Sequence, residues 1–448
     1  MTQLERLARW VRAFDAAAVP PAVMEKAKLH LLDSLTCAFA GRDEPAAVGV
    51  IKMVQALGGT PECTIIGTSA RTSVVNSVLA NGILVRCLDL NDLDSSSGFA
   101  GHPSDNIVVA LGVGERLGST GRDLLASIVL GYEMYCRMPK IHLGEAWHRS
   151  ATSGIVSAAM AGWLTGMPED KLLSAMALAI PYCNTLRVSG EGSQLAAPKN
   201  ISNAMVAHTA VTAALLAEQG LTGPPTALDA WSRTLMDGVD LSVLTQPPEY
   251  RIMKVGFKAH PSMGTTQAAV QAALEAYPAV KGRQAEIEGI SIHVADTPFT
   301  RRQIGETARG NPRTREMADH SFAFLVAVAL LDGELTLRQF ANHRWTEPTV
   351  RSMMHKVSLE ADPELNNYLP GFPCSIRIIT RSGEHTATVP YAPGDSRNPF
   401  DFQQTAGKFS RFTSDRIPRD QQAAILEAVQ GLEKAASVRE LTSVLAVE

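Results

Sequence analysis

Ile287-Glu288-Gly289-Ile290-Ser291-Ile292-His293-Val294 alternates apolar and polar residues with the two-residue period of a β-strand. Everything before it reads differently. Leu4, Leu7, Ala8 and Val11 recur at helical spacing, as do Val23, Ala27, Leu31, Leu32 and Leu35. Pro20-Pro21 opens the second of these helices and Gly41 closes it. Met205 to Glu218 reads as a further helix, ended by Gly220, and the small residues of Ser157-Ala158-Ala159-Met160-Ala161-Gly162 let helices approach closely. After the strand, Met317 to Leu331 reads as a helix. Cys374 to Thr380, a turn at Arg381-Ser382-Gly383-Glu384, and His385 to Val389 read as a hairpin. Phe400 to Val447 returns to helical periodicity. The expected fold is mainly α: a helical domain over 1–264, a smaller α+β domain over 265–399, and C-terminal helices over 400–448 that pack back on the first domain.

Length and composition narrow the function. A chain of 448 residues is long enough for two cores. Its net charge of -4 and the lack of a basic stripe make nucleic acid an unexpected partner. The start Met1-Thr2-Gln3-Leu4-Glu5-Arg6 lacks the pattern of a secretory signal, and the apolar run Ala151 to Leu164 is interrupted by glycine and too short to span a membrane. Cys37, Cys63, Cys87, Cys136, Cys183 and Cys374 form no CxxC pair. Reduced, buried thiols and a cytoplasmic location are therefore expected, with no zinc knuckle and no iron–sulfur ligand set.

The richest polar segment runs from Leu88-Asp89-Leu90-Asn91-Asp92 to Gly101-His102-Pro103-Ser104-Asp105-Asn106. It sets four acids, several serines and a histidine among breakers of regular structure, within an alanine-rich helical chain. One reading is a solvated loop whose acids cap the next helix. The other is a proton-transfer site, since a carboxylate and an imidazole in one loop can share that work. Asp89, Asp92 and Asp94 also invite a metal reading, but a second acidic segment to complete a ligand set is not evident.

This segment resembles the signature loop of the MmgE/PrpD family. Leu31-Leu32-Asp33-Ser34-Leu35 with Ala40-Gly41 is similar to the family's first helix and its end. So are Gly118-Ser119-Thr120-Gly121-Arg122-Asp123 with Gly131-Tyr132-Glu133, and Ala318-Asp319-His320-Ser321 before Ala329-Leu330-Leu331-Asp332-Gly333. The resemblance implies a large helical domain with a smaller lid-like domain. It also implies a lyase, decarboxylase or epimerase of a small polycarboxylate, without metal or cofactor. Within it, the loop looks more like the 2-methylcitrate dehydratases than like the animal decarboxylases.

Carried onto this chain, the resemblance marks Asp89 and His102 for proton transfer and His148 to assist. Lys199 and Lys258 are marked for binding carboxylates and stabilising an enediolate. His148 lies at an expected helix start, and Lys199 follows the Gly190-Glu191-Gly192-Ser193 loop just before the long helix. Lys258, in Phe257-Lys258-Ala259-His260-Pro261, matches the family's Phe-Lys-x-x-Pro. Ser104 and His260 are expected to touch the substrate as well. The chain departs from its relatives at Ser262-Met263-Gly264, at Gln267 in place of a frequent histidine, and at Leu93. Those departures leave open the donor of a proton to a departing hydroxyl, with His260 a nearby substitute by position. A homodimer that dehydrates 2-methylcitrate or a close alkylcitrate is the expectation. A polycarboxylate-binding protein without catalysis is the rival.

Overall fold

The computed structural model describes residues 1–95, 101–138, 147–186, 194–235, 238 and 240–447. Gly98 and the Gly190–Ser193 loop lie outside the described residues. The first core is helical, as expected. The helices Pro21–Gly41, Val74–Arg86, Ile107–Leu117, Gly121–Arg137, Ala151–Leu164 and Pro198–Glu218 share one apolar cluster. Several are buried nearly all round, which is why their sequences lack a polar stripe. The C-terminal helices Phe402–Thr413, Arg419–Gly431 and Val438–Val444 add Phe409, Ile425, Val429 and Leu441 to that same cluster. Among the described residues, no helix is long and apolar enough to cross a membrane. All six cysteines are free and buried.

The second core lies under a four-stranded sheet. Its strands are β3 (Ile287–Ala295), β4 (Val357–Asp362), β5 (Cys374–Thr380) and β6 (Gly383–Val389), in the order β4-β3-β5-β6. The earlier β1 (Cys63–Thr64) and β2 (Arg71–Thr72) form a separate short pair. β3 runs parallel to β4 and antiparallel to β5. Ile290, Ile292 and Val294 of β3, with Cys374, Ile376 and Ile378 of β5, turn one face onto the helices Gln267–Val280 and Phe322–Asp332. The other face carries polar residues, so the strands alternate.

Four local readings need correction. The stretch Met317–Leu331 is two helices, Arg315–Ala318 and Phe322–Asp332, because Ser321 caps the second through Phe324 N–H, while the Asp319 carbonyl accepts from Met263 N–H and His320 faces Asp89. The long helix begins at Pro198 rather than Met205; its polar first turns are buried against the signature segment. The hairpin closes through Arg381-Ser382 alone, with Thr380 paired to Gly383. β4 goes unforeseen although Val357-Ser358-Leu359-Glu360-Ala361-Asp362 alternates apolar and polar residues; none of its residues is fully buried.

Glycine sets how closely the C-terminal helices dock. A Cβ at Gly121 would lie 1.8 Å from the Leu432 carbonyl oxygen, whereas one at Gly407, mid-helix and exposed, would meet nothing within 4 Å. Gly121→Ala should therefore lower stability by about 1–3 kcal/mol through overpacking. Gly407→Ala should raise it by about 0.5–1 kcal/mol through helix propensity. Denaturant unfolding of the two variants side by side checks both signs.

Candidate functional site

The helix Val74–Arg86 ends at Arg86, and within three residues the chain turns sharply at Asp89, whose φ is +50°. That left-handed conformation is costly for a residue with a Cβ, and it turns the Asp89 carbonyl and carboxylate toward the same groups. The carboxylate is the meeting point of three cations. Arg86 Nη1 and Lys258 Nζ donate to Oδ1 at 2.9 and 2.8 Å, and Lys199 Nζ donates to Oδ2 at 3.0 Å. Lys258 also donates to the Asp89 carbonyl at 2.9 Å. All four residues are buried, Lys258 completely.

Three parts of the chain supply these groups. Lys199 stands in the first turn of Pro198–Glu218, so the helix itself aims it. Lys258 is brought in by a backbone bridge in which Leu93 and Gly256 exchange N–H···O bonds of 2.9 and 3.0 Å. Gly264 lies against Leu93, where a Cβ would approach to 2.7 Å. The base of the signature loop is pinned in turn by a bridge between Asp94 and Gly101. Gln267, where relatives often carry histidine, braces the turn after Lys258. It accepts from His260 N–H at 3.1 Å and donates to the His260 and Ser262 carbonyls, both at 3.0 Å.

His102 stands half-buried beside this cluster. Its Nδ1 is 2.6 Å from the Asp92 carbonyl, which can only accept. Nδ1 therefore carries the proton and Nε2 presents a lone pair. Burial, Arg86 and Lys258 hold the imidazole well below its ordinary value, so it is neutral and able to take a proton. A second histidine, His320, is paired through Nδ1 with Asp319 and places Nε2 3.6 Å from Asp89 Oδ2. Asp319 is fixed by Arg315 at 3.2 Å.

Asp89 and Asp92 show how neighbours decide charge. Burial raises the Asp89 carboxyl, but Lys199, Lys258 and Arg86 overcome it and hold the group well below the carboxylate range. Asp92 is equally buried, and its direct donors are uncharged: Ser104 Oγ at 2.5 Å, Ser104 N–H at 3.3 Å and Tyr132 OH at 2.8 Å. Burial pushes it up to about 8, with Asp105 and Asp33 adding to the rise. Asp105 rises to about 6 for the same leading reason, although Arg86 pulls it down.

The structure thus brings Asp89, Lys199, Lys258 and His102 together. The reading of a solvated, helix-capping loop does not hold, because Asp89, Asp92, Asp94 and Asp105 are all buried. Ser104 is buried too; its hydroxyl donates to Asp92 and accepts from Asn91 at 3.0 Å. His148 lies in the turn before Ala151–Leu164, bonded to Ser150 at 2.8 Å and to the Thr185 carbonyl at 2.9 Å. Its neighbour Arg149 reaches the signature segment, 3.9 Å from Asp94. His260 is buried, and burial with Arg411 pushes its ring down to about 3. Arg86 and the Asp319–His320 pair escaped sequence reasoning. Arg86 looks like the polar end of a helix, and the pair was legible only as part of a family-like stretch.

Asp89, Asp319 and His320 also offer three ligand atoms within 4.8 Å of one another. A divalent cation there would have to compete with Arg86, Lys199 and Lys258 for Asp89. The donor set suits an anion better than a metal.

Two consequences can be measured. Asp89→Asn strands three buried cations and should cost about 3–5 kcal/mol. Citrate, offering carboxylates in its place, should raise the thermal midpoint of the variant more than that of the wild type. Asp92 keeps its proton when folded up to about 8 but loses it near 3.8 when unfolded, so its contribution to stability falls as pH rises between those values. Asp92→Asn should therefore lose less stability than the wild type between about pH 5 and about pH 8.

The model of the MmgE/PrpD N-terminal domain matches residues 5–240, and that of the MmgE/PrpD C-terminal domain matches residues 260–434. Cis-aconitate decarboxylase of Mus musculus is 25% identical over 94% of this chain and 89% of its own. 2-Methylcitrate dehydratase of Cupriavidus necator is 25% identical over 76% of this chain and 74% of its own. A cis-aconitate decarboxylase-like protein of Aspergillus oryzae is 23% identical over 99% and 97%.

Proposed function

The chain belongs to the MmgE/PrpD family, and from that premise we propose that it is a lyase dehydrating a small polycarboxylic acid, 2-methylcitrate or a close alkylcitrate, through an enediolate. The observation that carries this reading is the convergence of Arg86, Lys199 and Lys258 on one carboxylate beside a histidine of fixed tautomer. In the free protein Asp89 occupies the cationic cradle. A substrate carboxylate takes over some of those bonds, and binding becomes an exchange of one anion for another. The cations are then not left bare at any stage.

The chemistry follows from the same charges. His102 Nε2 removes the proton α to a carboxylate. The electron pair left behind spreads into that carboxylate, and the extra negative charge of the enediolate is what Lys199 and Lys258 stabilise. They hold a dianion better than a monoanion, so their effect is larger at the transition state than in the ground state. The electron pair then forms the C=C bond as the β-hydroxyl departs. Asp89, clamped as an ionised carboxylate, positions the lysines. Side chains suffice for each of these steps, and no metal is assigned.

A decarboxylase is the second reading, favoured by the length over which cis-aconitate decarboxylases match; identity alone, 25% to both kinds of relative, does not separate the two. Both reactions pass through an enediolate or its equivalent, and the same cradle serves each. A binder without catalysis would need neither the neutral His102 nor its fixed tautomer.

Proton NMR in D2O, with EDTA present, tests the proposal against 2-methylcitrate, citrate, cis-aconitate and iminodisuccinate. The expected result is loss of water from 2-methylcitrate and deuterium incorporation α to a carboxylate. Loss of CO2 from cis-aconitate without dehydration would favour the second reading. An inert protein would leave only the binder, and activity restored by a divalent ion alone would overturn the side-chain mechanism. His102→Gln should lower turnover by about 10²–10⁴-fold while the protein stays folded.

A further inference from the structure

We propose that Asp319 and His320 form the second proton-transfer unit of this site, with His320 as the acid that protonates the departing hydroxyl while His102 takes the α-proton. The inference rests on the dehydration reading above and supplies the donor which that reading leaves open.

Geometry comes first. The helix Arg315–Ala318 stops and Phe322–Asp332 starts anew, so Asp319 and His320 form a turn between them and Ser321 is extended. Ser321 caps the second helix, and the Asp319 carbonyl accepts from Met263 N–H at 2.9 Å, which ties this turn to the segment carrying Lys258. The break aims the imidazole inward. Asp319 takes the Nδ1 side of His320 through one carboxylate oxygen and Arg315 through the other. Nε2 is left 3.6 Å from Asp89 Oδ2, at the cationic cradle itself.

Charge then assigns the role. His320 is flanked by two carboxylates, Asp319 and Asp89, which favour imidazolium; burial and Lys199 oppose it and lower its value in the free protein. A polycarboxylate bound to Lys199 cancels that opposing charge. Substrate binding thus brings His320 toward its protonated form, with the proton on Nε2 facing the substrate. His102 differs in the way the reaction requires: its Nδ1 bonds to a neutral carbonyl, and Arg86 and Lys258 stand near it. One histidine is biased toward base and the other toward acid.

The other candidates fit less well. His260 lies near Arg411 and Lys408, which disfavour its charged form. Lys199 and Lys258 are needed as cations. Tyr132 donates to Asp92, and burial together with that hydrogen bond holds its proton firmly.

The step balances without a further reactant. His102 Nε2 takes the α-proton, the C–H pair becomes the C=C bond, and the C–O bond breaks. The leaving oxygen takes the Nε2 proton of His320 and departs as water. His102 ends protonated and His320 neutral, and exchange with solvent resets both.

The test separates an acid from a structural residue by changing the leaving group. Chloride departs without a proton, so the 2-methylcitrate analogue with chloride in place of the hydroxyl needs the base but not the acid. His320→Gln, in the full-length protein, should lose about 10²–10⁴-fold in dehydration of 2-methylcitrate while chloride elimination changes little. Asp319→Asn should show the same selective loss, and it decides the matter if His320→Gln is too unstable to assay. Equal losses on both substrates, or no loss on either, would overturn the proposal. Wild-type protein inert toward both would instead overturn the dehydration reading on which it rests.

Discussion

A single carboxylate, that of Asp89, holds this site together. Arg86, Lys199 and Lys258 come from different parts of the chain, and brought together without an anion they would repel one another in a medium that screens charge poorly. Asp89 resolves that conflict with both carboxylate oxygens and its own carbonyl, at the cost of a left-handed backbone. Stability alone does not explain such an arrangement, since buried ion pairs often gain little over apolar packing. Under the proposed function, its use is to keep a surplus of positive charge preorganised where a substrate's negative charge will grow.

A second polar layer supports the first. Asp33 pairs with Lys408 at 2.5 Å, and Lys408 also donates to the Leu90 carbonyl at 3.0 Å, so a C-terminal helix braces the signature segment from behind. His30 lies against the rings of Tyr132 and Phe257, with centroids 4.7 and 4.5 Å away, and its Nδ1 is 3.7 Å from Asp92. Burial and Lys26 keep this imidazole neutral. The layer is a scaffold of neutral or matched groups behind the cationic cradle. It gives the C-terminal helices a reason to fold back onto the helical domain beyond apolar burial.

Much of this was legible in the sequence. Hydrophobic period separated the helical part from the sheet, because one face of β3 and of β5 is buried and the other is not. Proline at the start and glycine at the end bounded Pro21–Gly41. The signature segment, Lys199 and Lys258 could be picked out by residue type and resemblance. What stayed hidden depends on contacts distant in sequence. Nothing local announces the pairing of Leu93 with Gly256, yet that pairing carries Lys258 to Asp89. Asn200, Ser202 and Asn203 look like loop residues until the buried surface they face is known. Asp89 and Asp92 are three positions apart and chemically identical in the sequence. Only the tertiary neighbours make one a firm anion and lift the other toward its neutral form.

The claim that Asp89 keeps the cradle for a substrate carboxylate is tested most directly by a crystal structure with tricarballylate, a polycarboxylate with no hydroxyl to lose. The account predicts a ligand carboxylate within about 3.2 Å of both the Lys199 and Lys258 nitrogens, with the Asp89 side chain moved off at least one of them. Tricarballylate bound elsewhere, with the Asp89 pairs to Lys199 and Lys258 intact, would contradict it.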